Sequence, residues 1–122
     1  MSFSSAEIER IREARRIIIT HYANPPSISR LARQVGLNEF KLKKGFKAVF
    51  GTTIFGYVRE HRMQLAKSLL LSGDMNVTEV SCAVGYSNAS HFALSFRKEF
   101  GVNPGELAVS RKNPAGKRKY KG

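Results

Sequence analysis

Phe40, Lys43, Lys44 and Lys47 recur at i, i+3, i+4 and i+7, so they share one side of a helix whose other side carries Leu42, Phe46 and Val49. That side offers three ammonium groups and an aromatic ring. Ammonium groups bind phosphate oxygens or the guanine edge, and a ring packs on thymine methyls, so the chemistry on offer is recognition and not bond making. A basic stripe alone is more often a solvated face. Its setting decides between the two readings.

The setting is a short helix, a turn and a second helix. Ser27 is placed to cap a helix that turns Ile28, Leu31, Ala32 and Val35 inward, Gly36 supplies the turn, and Asn38 caps the helix bearing the lysines. The same grammar occurs twice. Ile28 to Gly36 aligns with Val77 to Gly85, apolar for apolar and glycine for glycine. With one extra residue in the second copy, Leu42 then matches Phe92, Phe46 matches Phe96, and Phe50-Gly51 matches Phe100-Gly101. In the second copy Asn76 and Glu79 form a capping box, Gly85 turns the chain, and Ser87 is read as the cap of the following helix. Ala32 and Ser81, four residues before the glycines, are small enough to let the paired helices cross closely. Two helix-turn-helix units in one chain make chance a poor explanation.

The outward faces differ. In the second copy the positions facing out are Ser90, Ala93, Leu94 and Arg97, small and nearly neutral. From Ile28 to Gly51 six basic residues stand against one acidic, net +5, whereas from Val77 to Gly101 two stand against two. The first unit is therefore expected to dominate affinity, with apolar contacts and contacts from Asn88, Ser90 and His91 coming from the second.

The remaining elements support these units. Hydrophobic spacing of three and four throughout, with no alternating β-branched runs, predicts an all-α fold of about seven helices. A first helix opens at Ser4, with Glu7 completing a capping box, and runs through Ile8, Ile11, Ile18 and Tyr22 to Asn24-Pro25-Pro26. A longer helix over about 53–72 carries Val58, Arg62, Leu65, Ala66 and Leu69 on one side and ends at Gly73. The predicted layout is a first subdomain over 4–51, a linker helix over 52–73, a second subdomain over 74–108 and a basic, disordered tail over 109–122. A linker of about 20 residues is roughly 30 Å long, close to the ~34 Å of one DNA turn, so both reading helices are expected in successive major grooves.

Composition narrows the class. With 122 residues, 21 Lys plus Arg against 9 Asp plus Glu, and a net charge of +12, the chain attracts polyanions. Its single Cys82 excludes an internal disulfide and multi-cysteine metal sites, and is read as an inert thiol. His21, His61 and His91 are scattered, and no phosphate-binding glycine loop, nucleophile elbow or paired-carboxylate spacing occurs. The reading is therefore no enzyme, no metal and no cofactor. No window has the roughly 18 apolar residues of a membrane span, and the start lacks a secretion signal, which predicts a cytoplasmic protein without membrane contact.

Together these residues resemble the paired helix-turn-helix DNA-binding domain of the AraC/XylS family of bacterial transcription regulators. The resemblance spans about Ile8 to Leu107. Its specific parts are Leu31 to Leu37, Phe46-Lys47 with Phe50-Gly51, the linker from Tyr57 to Leu70 with Arg62 and Ala66, and Val84 to Asn88 through His91-Phe92 to Phe96 to Pro104. Asn103-Pro104 also fits a helix start, a cap followed by proline at the first position. The resemblance implies base contacts from Phe40, Lys43 and Lys44 and from Ala89, Ser90, Ala93 and Leu94. The expected DNA-binding set is Asn38, Glu39, Phe40, Lys43, Lys44 and Lys47 in the first unit. In the second it is Ser87, Asn88, Ala89, Ser90, His91, Ala93, Leu94 and Arg97. Leu94 departs from the pattern, since many relatives carry a basic residue there. The stretch from Gly36 to Lys47 resembles the iron- and siderophore-responsive branch.

The resemblance further implies double-stranded promoter DNA as the partner and RNA polymerase as a second contact. It also implies either a stand-alone member of the family or, the favoured reading, an excised C-terminal domain that is monomeric alone and dimerises through an N-terminal domain. The rival reading is a sequence-tolerant, charge-driven nucleic-acid-binding module of architectural type. Its weight comes from the six basic residues between Arg111 and Lys121, without which the net charge is +6. A protein-interaction domain using an exposed Phe40 is a further alternative.

Overall fold

The computed structural model describes residues 2–112, which form seven helices and no strand. In chain order these are α1 (Ser5–Thr20), α2 (Ile28–Val35), α3 (Glu39–Phe50), α4 (Ile54–Ser72), α5 (Val77–Ala83), α6 (Ala89–Phe100) and α7 (Pro104–Lys112). The chain divides into two compact units, one through His61 and the other from Arg62 on. The boundary lies inside α4. The linker is thus not a unit of its own, because each half packs into a different core.

Unit 1 encloses Ile11, Ala14 and Ile18 of α1, Leu31, Ala32 and Val35 of α2, Leu42 and Phe46 of α3, and Ile54 and Val58 of α4. Phe46 meets the rings of Phe50 and Tyr57 at 4.8 and 5.6 Å, and the Arg15 guanidinium lies 5.4 Å from the Phe50 ring. α1 begins as expected: Ser4 Oγ accepts from the Glu7 N–H at 3.1 Å, and Glu7 Oε1 accepts from the Ser4 N–H at 3.0 Å. It ends at Thr20, before Tyr22, where the His21 carbonyl accepts from the Asn24 N–H at 3.0 Å and turns the chain toward the prolines.

Unit 2 encloses Met63, Ala66 and Leu70 of α4, Val80 and Val84 around α5, and Phe92 and Phe96 of α6. The stripe of α4 therefore differs from the one expected. Met63 and Leu70 are buried outright, while Arg62, Leu65 and Leu69 are only half-buried. A single amphipathic stripe assumes one core. α4 serves two, and the five-residue step from Val58 to Met63 breaks the three-and-four spacing where it passes from one to the other.

α7 starts at Asn103-Pro104, with the Asn103 N–H donating to Glu106 Oε2 at 3.2 Å and the Glu106 N–H to the Asn103 carbonyl at 3.1 Å. It continues through Lys112, so four residues read as tail belong to a helix. Propagating a nucleated helix costs far less than starting one, and no proline or glycine follows Gly105 before Lys112. The rest of the basic segment, 113–122, lies outside the described residues. Among the described residues no helix is long and apolar enough to cross a membrane.

Candidate nucleic-acid interface

Each unit builds its reading helix with the same backbone device. In unit 1, Ser27 Oγ accepts from the Arg30 N–H at 3.1 Å to start α2, and Gly36 ends it in the left-handed region at φ 77°. The Leu37 N–H then donates to the Ala32 carbonyl at 3.0 Å. In unit 2 the Tyr86 N–H donates to the Ser81 carbonyl at 3.0 Å, after Gly85 at φ 100°. Ala32 and Ser81 are both buried, as their small size led us to expect. Asn76 and Glu79 complete a capping box on α5, with both hydrogen bonds at 2.8 Å.

The starts of α3 and α6 are capped by asparagine. Asn38 Oδ1 accepts from the Lys41 N–H at 2.7 Å. Asn88 Oδ1 accepts from the Ser90 and His91 N–H groups at 2.8 and 3.1 Å, so the cap of α6 is Asn88 and not Ser87. A carboxamide oxygen one residue nearer the helix reaches two orphan N–H groups at once, and Ser87 is left exposed in the turn.

Beyond the caps, Leu42 and Phe46 face inward in α3, as Phe92 and Phe96 do in α6. The opposite face of α3 carries Phe40, 57% exposed, with Lys43, Lys44 and Lys47 all exposed. Lys44 Nζ stands 5.8 Å from the Phe40 ring centre, a cation–π distance. Among the described residues none of these three lysines has a carboxylate partner. The acids of α1 are engaged elsewhere: Glu7 Oε2 with Lys41 Nζ at 2.6 Å, and Glu9 and Glu13 with Arg16 at 3.1 and 2.6 Å. The hydrogen bond from Lys41 holds the Glu7 carboxyl below its ordinary range. The bonds from Arg16 to Glu13 and Glu9 raise the Arg16 guanidinium further. Lys41 is thus spent on holding α3 to α1, while Lys43, Lys44 and Lys47 stay free for a polyanion.

In α6 Ala89, Ser90, His91, Leu94, Arg97, Lys98 and Glu99 are exposed, and Ala93 is half-buried beside Leu94. Leu94 is 67% exposed. Arg97 Nη1 donates to Asn103 Oδ1 at 3.3 Å, which ties the end of α6 to the start of α7. Glu39 is exposed in the first turn of α3, where a carboxylate suits the helix dipole.

Two positioning residues escape sequence reasoning. Arg10 Nη1 donates to the Val35 and Gly36 carbonyls at 3.3 and 3.1 Å, and so satisfies the end of α2 from α1. Gly45, buried in the middle of α3, lets α1 come so near that a Cβ there would run into Ile11 Cδ1. A glycine inside a helical pattern is itself a signal of close approach. Nothing in the order of residues singles out Arg10.

A pair of short helices joined by a glycine turn, repeated in both units with an exposed second helix, defines a double helix-turn-helix protein. Comparison with known proteins agrees. A helix-turn-helix domain profile matches residues 31–109, about two thirds of the chain. Regulatory protein PchR of Pseudomonas aeruginosa is 43% identical over 72 residues, 59% of this chain and 24% of that protein. The HTH-type transcriptional regulator ExsA of the same organism is 32% identical over 84 residues, 69% of this chain and 30% of that protein. Among solved structures, a transcriptional regulator of Chromobacterium violaceum described as containing an AraC-type DNA-binding domain superposes with a TM-score of 0.77. It is 26% identical and covers 92% of this chain and 100% of that one. The chain belongs to the AraC/XylS family of helix-turn-helix regulators. It spans about a quarter to a third of the length of these curated relatives.

Proposed function

We propose that the chain binds double-stranded promoter DNA sequence-specifically, placing α3 and α6 in successive major grooves, as the DNA-reading part of a bacterial transcription regulator. The observation that carries this reading is the outward face of α3: Phe40, Lys43, Lys44 and Lys47, exposed and without carboxylate partners among the described residues, on the second helix of a helix-turn-helix unit. Lys43 and Lys44 contact guanine edges or phosphates, Phe40 packs on thymine methyls, and Lys47 contacts phosphate. Asn38 and Glu39 at the start of α3, and Ser87, Asn88 and His91 at the start of α6, lie at the groove edge, and Ala89 and Ser90 contact bases. Ala93, Leu94 and Arg97 complete the second face. Names of the relatives, which describe transcriptional regulators and an AraC-type DNA-binding domain, support this reading.

The function needs neither catalysis nor a cofactor, and it belongs in the cytoplasm with the nucleoid. Contact with RNA polymerase, and dimerisation through a further domain, are parts of the same proposal for the parent regulator. So is a place in the iron- and siderophore-responsive branch, which rests on the stretch from Gly36 to Lys47. The basic segment from Arg111 adds affinity without sequence preference.

The test is selection of duplexes from a random library at physiological salt, then anisotropy of the winner against scrambled DNA over a salt series. The expected result is an asymmetric motif about two turns long, half of which is lost with Phe40→Ala or Lys44→Ala. Binding that tracks salt and the number of basic residues alone, with no enriched motif, would replace this reading by the charge-driven architectural one.

A further inference from the structure

The DNA-binding reading leaves open what unit 2 recognises, and the inference drawn here rests on that reading. Aligned on their asparagine caps, α3 and α6 match residue for residue: Leu94 stands where Lys44 stands, and Ala93 where Lys43 stands. Leu94 is 67% exposed, more than Phe40 at 57%, and it is central on the face turned away from Phe92 and Phe96. It has no hydrogen-bonding atom, so it cannot pair with guanine O6 and N7 or adenine N6 and N7. In the major groove the base-edge group that an aliphatic side chain does recognise is a pyrimidine C5-methyl, carried by thymine and absent from cytosine.

The surroundings favour the same chemistry. Ala93 is small and half-buried, which permits close approach and adds a second methyl. Asn88 already takes the N–H groups of Ser90 and His91, so two donors at the start of α6 are closed to a phosphate. Arg97, a basic group on this side, is engaged with Asn103. With no net charge from Val77 to Gly101, unit 2 has little to gain from the backbone and must work by burial. We propose that Leu94 is a specificity-determining residue that reads a pyrimidine C5-methyl, thymine's in unmodified DNA, in the half-site bound by unit 2.

The experiment uses the full chain and its selected duplex, with each thymine replaced by uracil in turn and binding followed by anisotropy. Within the half-site bound by unit 2, one replacement is expected to weaken the wild type about fourfold, the loss from unburying a single methyl group. Leu94→Ala is expected to bind the thymine duplex correspondingly more weakly and to ignore that replacement, while Phe40→Ala still detects it. A C·G pair at that position should bind better when its cytosine is 5-methylated, which separates the methyl from the rest of thymine. Circular dichroism checks that Leu94→Ala, an exposed substitution, leaves the fold intact. Sequence-selective binding indifferent to every uracil in the half-site of unit 2 would overturn the inference while leaving the DNA-binding reading standing. So would a Leu94→Ala variant that stays uracil-sensitive at that position, or no gain from 5-methylcytosine. Failure to select any duplex would instead overturn the reading beneath it.

Discussion

α3 and α6 are the same helix built twice, with asparagine caps, two buried residues four apart, and an aromatic ring and a left-handed glycine at the end, Phe50-Gly51 and Phe100-Gly101. Their inward halves agree because each fills the angle of a helix-turn-helix unit, where a lost methylene is felt at once. Their outward halves share almost nothing. Phe40, Lys43, Lys44 and Lys47 make one face cationic, and Ser90, Ala93, Leu94 and Arg97 make the other nearly neutral. Packing dictates half of each helix and leaves the other half free for recognition, so one scaffold can hold two different ligand chemistries.

The largest effects should fall on the half that the two units share. Phe46→Ala and Phe96→Ala each empty a fully buried ring site, and each is expected to cost about 3–5 kcal/mol in urea unfolding. A large inequality between the two would show that the units are packed less alike than their sequences.

Next come substitutions that only one unit should feel. Gly45→Val pushes a side chain against Ile11 and is expected to destabilise by about 1–3 kcal/mol. At the aligned position of α6 stands Ser95, half-buried, so a side chain is already accommodated there and Ser95→Ala should be nearly neutral. Thermal melts of both variants measure the contrast, and equal losses would remove close helix approach as a distinction of unit 1.

For binding, Lys44→Ala is expected to cost about 1–3 kcal/mol at the selected site if Lys44 reads a base. If it contacts phosphate instead, the loss is uniform across sequences and the salt slope falls by about 0.9. Arg97→Ala in unit 2, whose guanidinium is held by Asn103, should lose less. The reverse ranking would transfer the dominant role to α6.

The smallest effect concerns Glu7, whose carboxyl is held low chiefly by the Lys41 hydrogen bond and then by the Ser4 backbone N–H. A depressed carboxylate contributes stability that is present above its ordinary value of 4.5 and lost as pH falls through the lowered folded value. Glu7→Gln should therefore be less stable than wild type at neutral pH and converge with it in acid. A gap that does not narrow would mean that the pair does not hold α1 to α3.

Much of this was legible in the chain itself. Caps at Ser4, Ser27, Asn38 and Asn76, the turns at Gly36 and Gly85, and the buried large side chains of α2, α3 and α6 all rest on interactions within a few residues, which spacing records directly. So does the exposed lysine face of α3, since it is the complement of the buried one. Where Asn88 displaced Ser87, two neighbouring residues could both cap, and only the backbone path chose between them. The α4 stripe was misread because periodicity assumes one core.

What the sequence by itself determined, then, is the duplicated unit, its turns and the side of each helix that faces out, because these follow from local sterics and hydrophobic period. The tertiary structure alone decided that Lys41 is tied to Glu7 while its three neighbours are free. It also decided that Arg10 closes the end of α2, that Gly45 admits α1, and that α4 divides its apolar residues between two cores. Each of these joins residues far apart along the chain. Their meeting depends on how whole helices pack, and no local spacing records it.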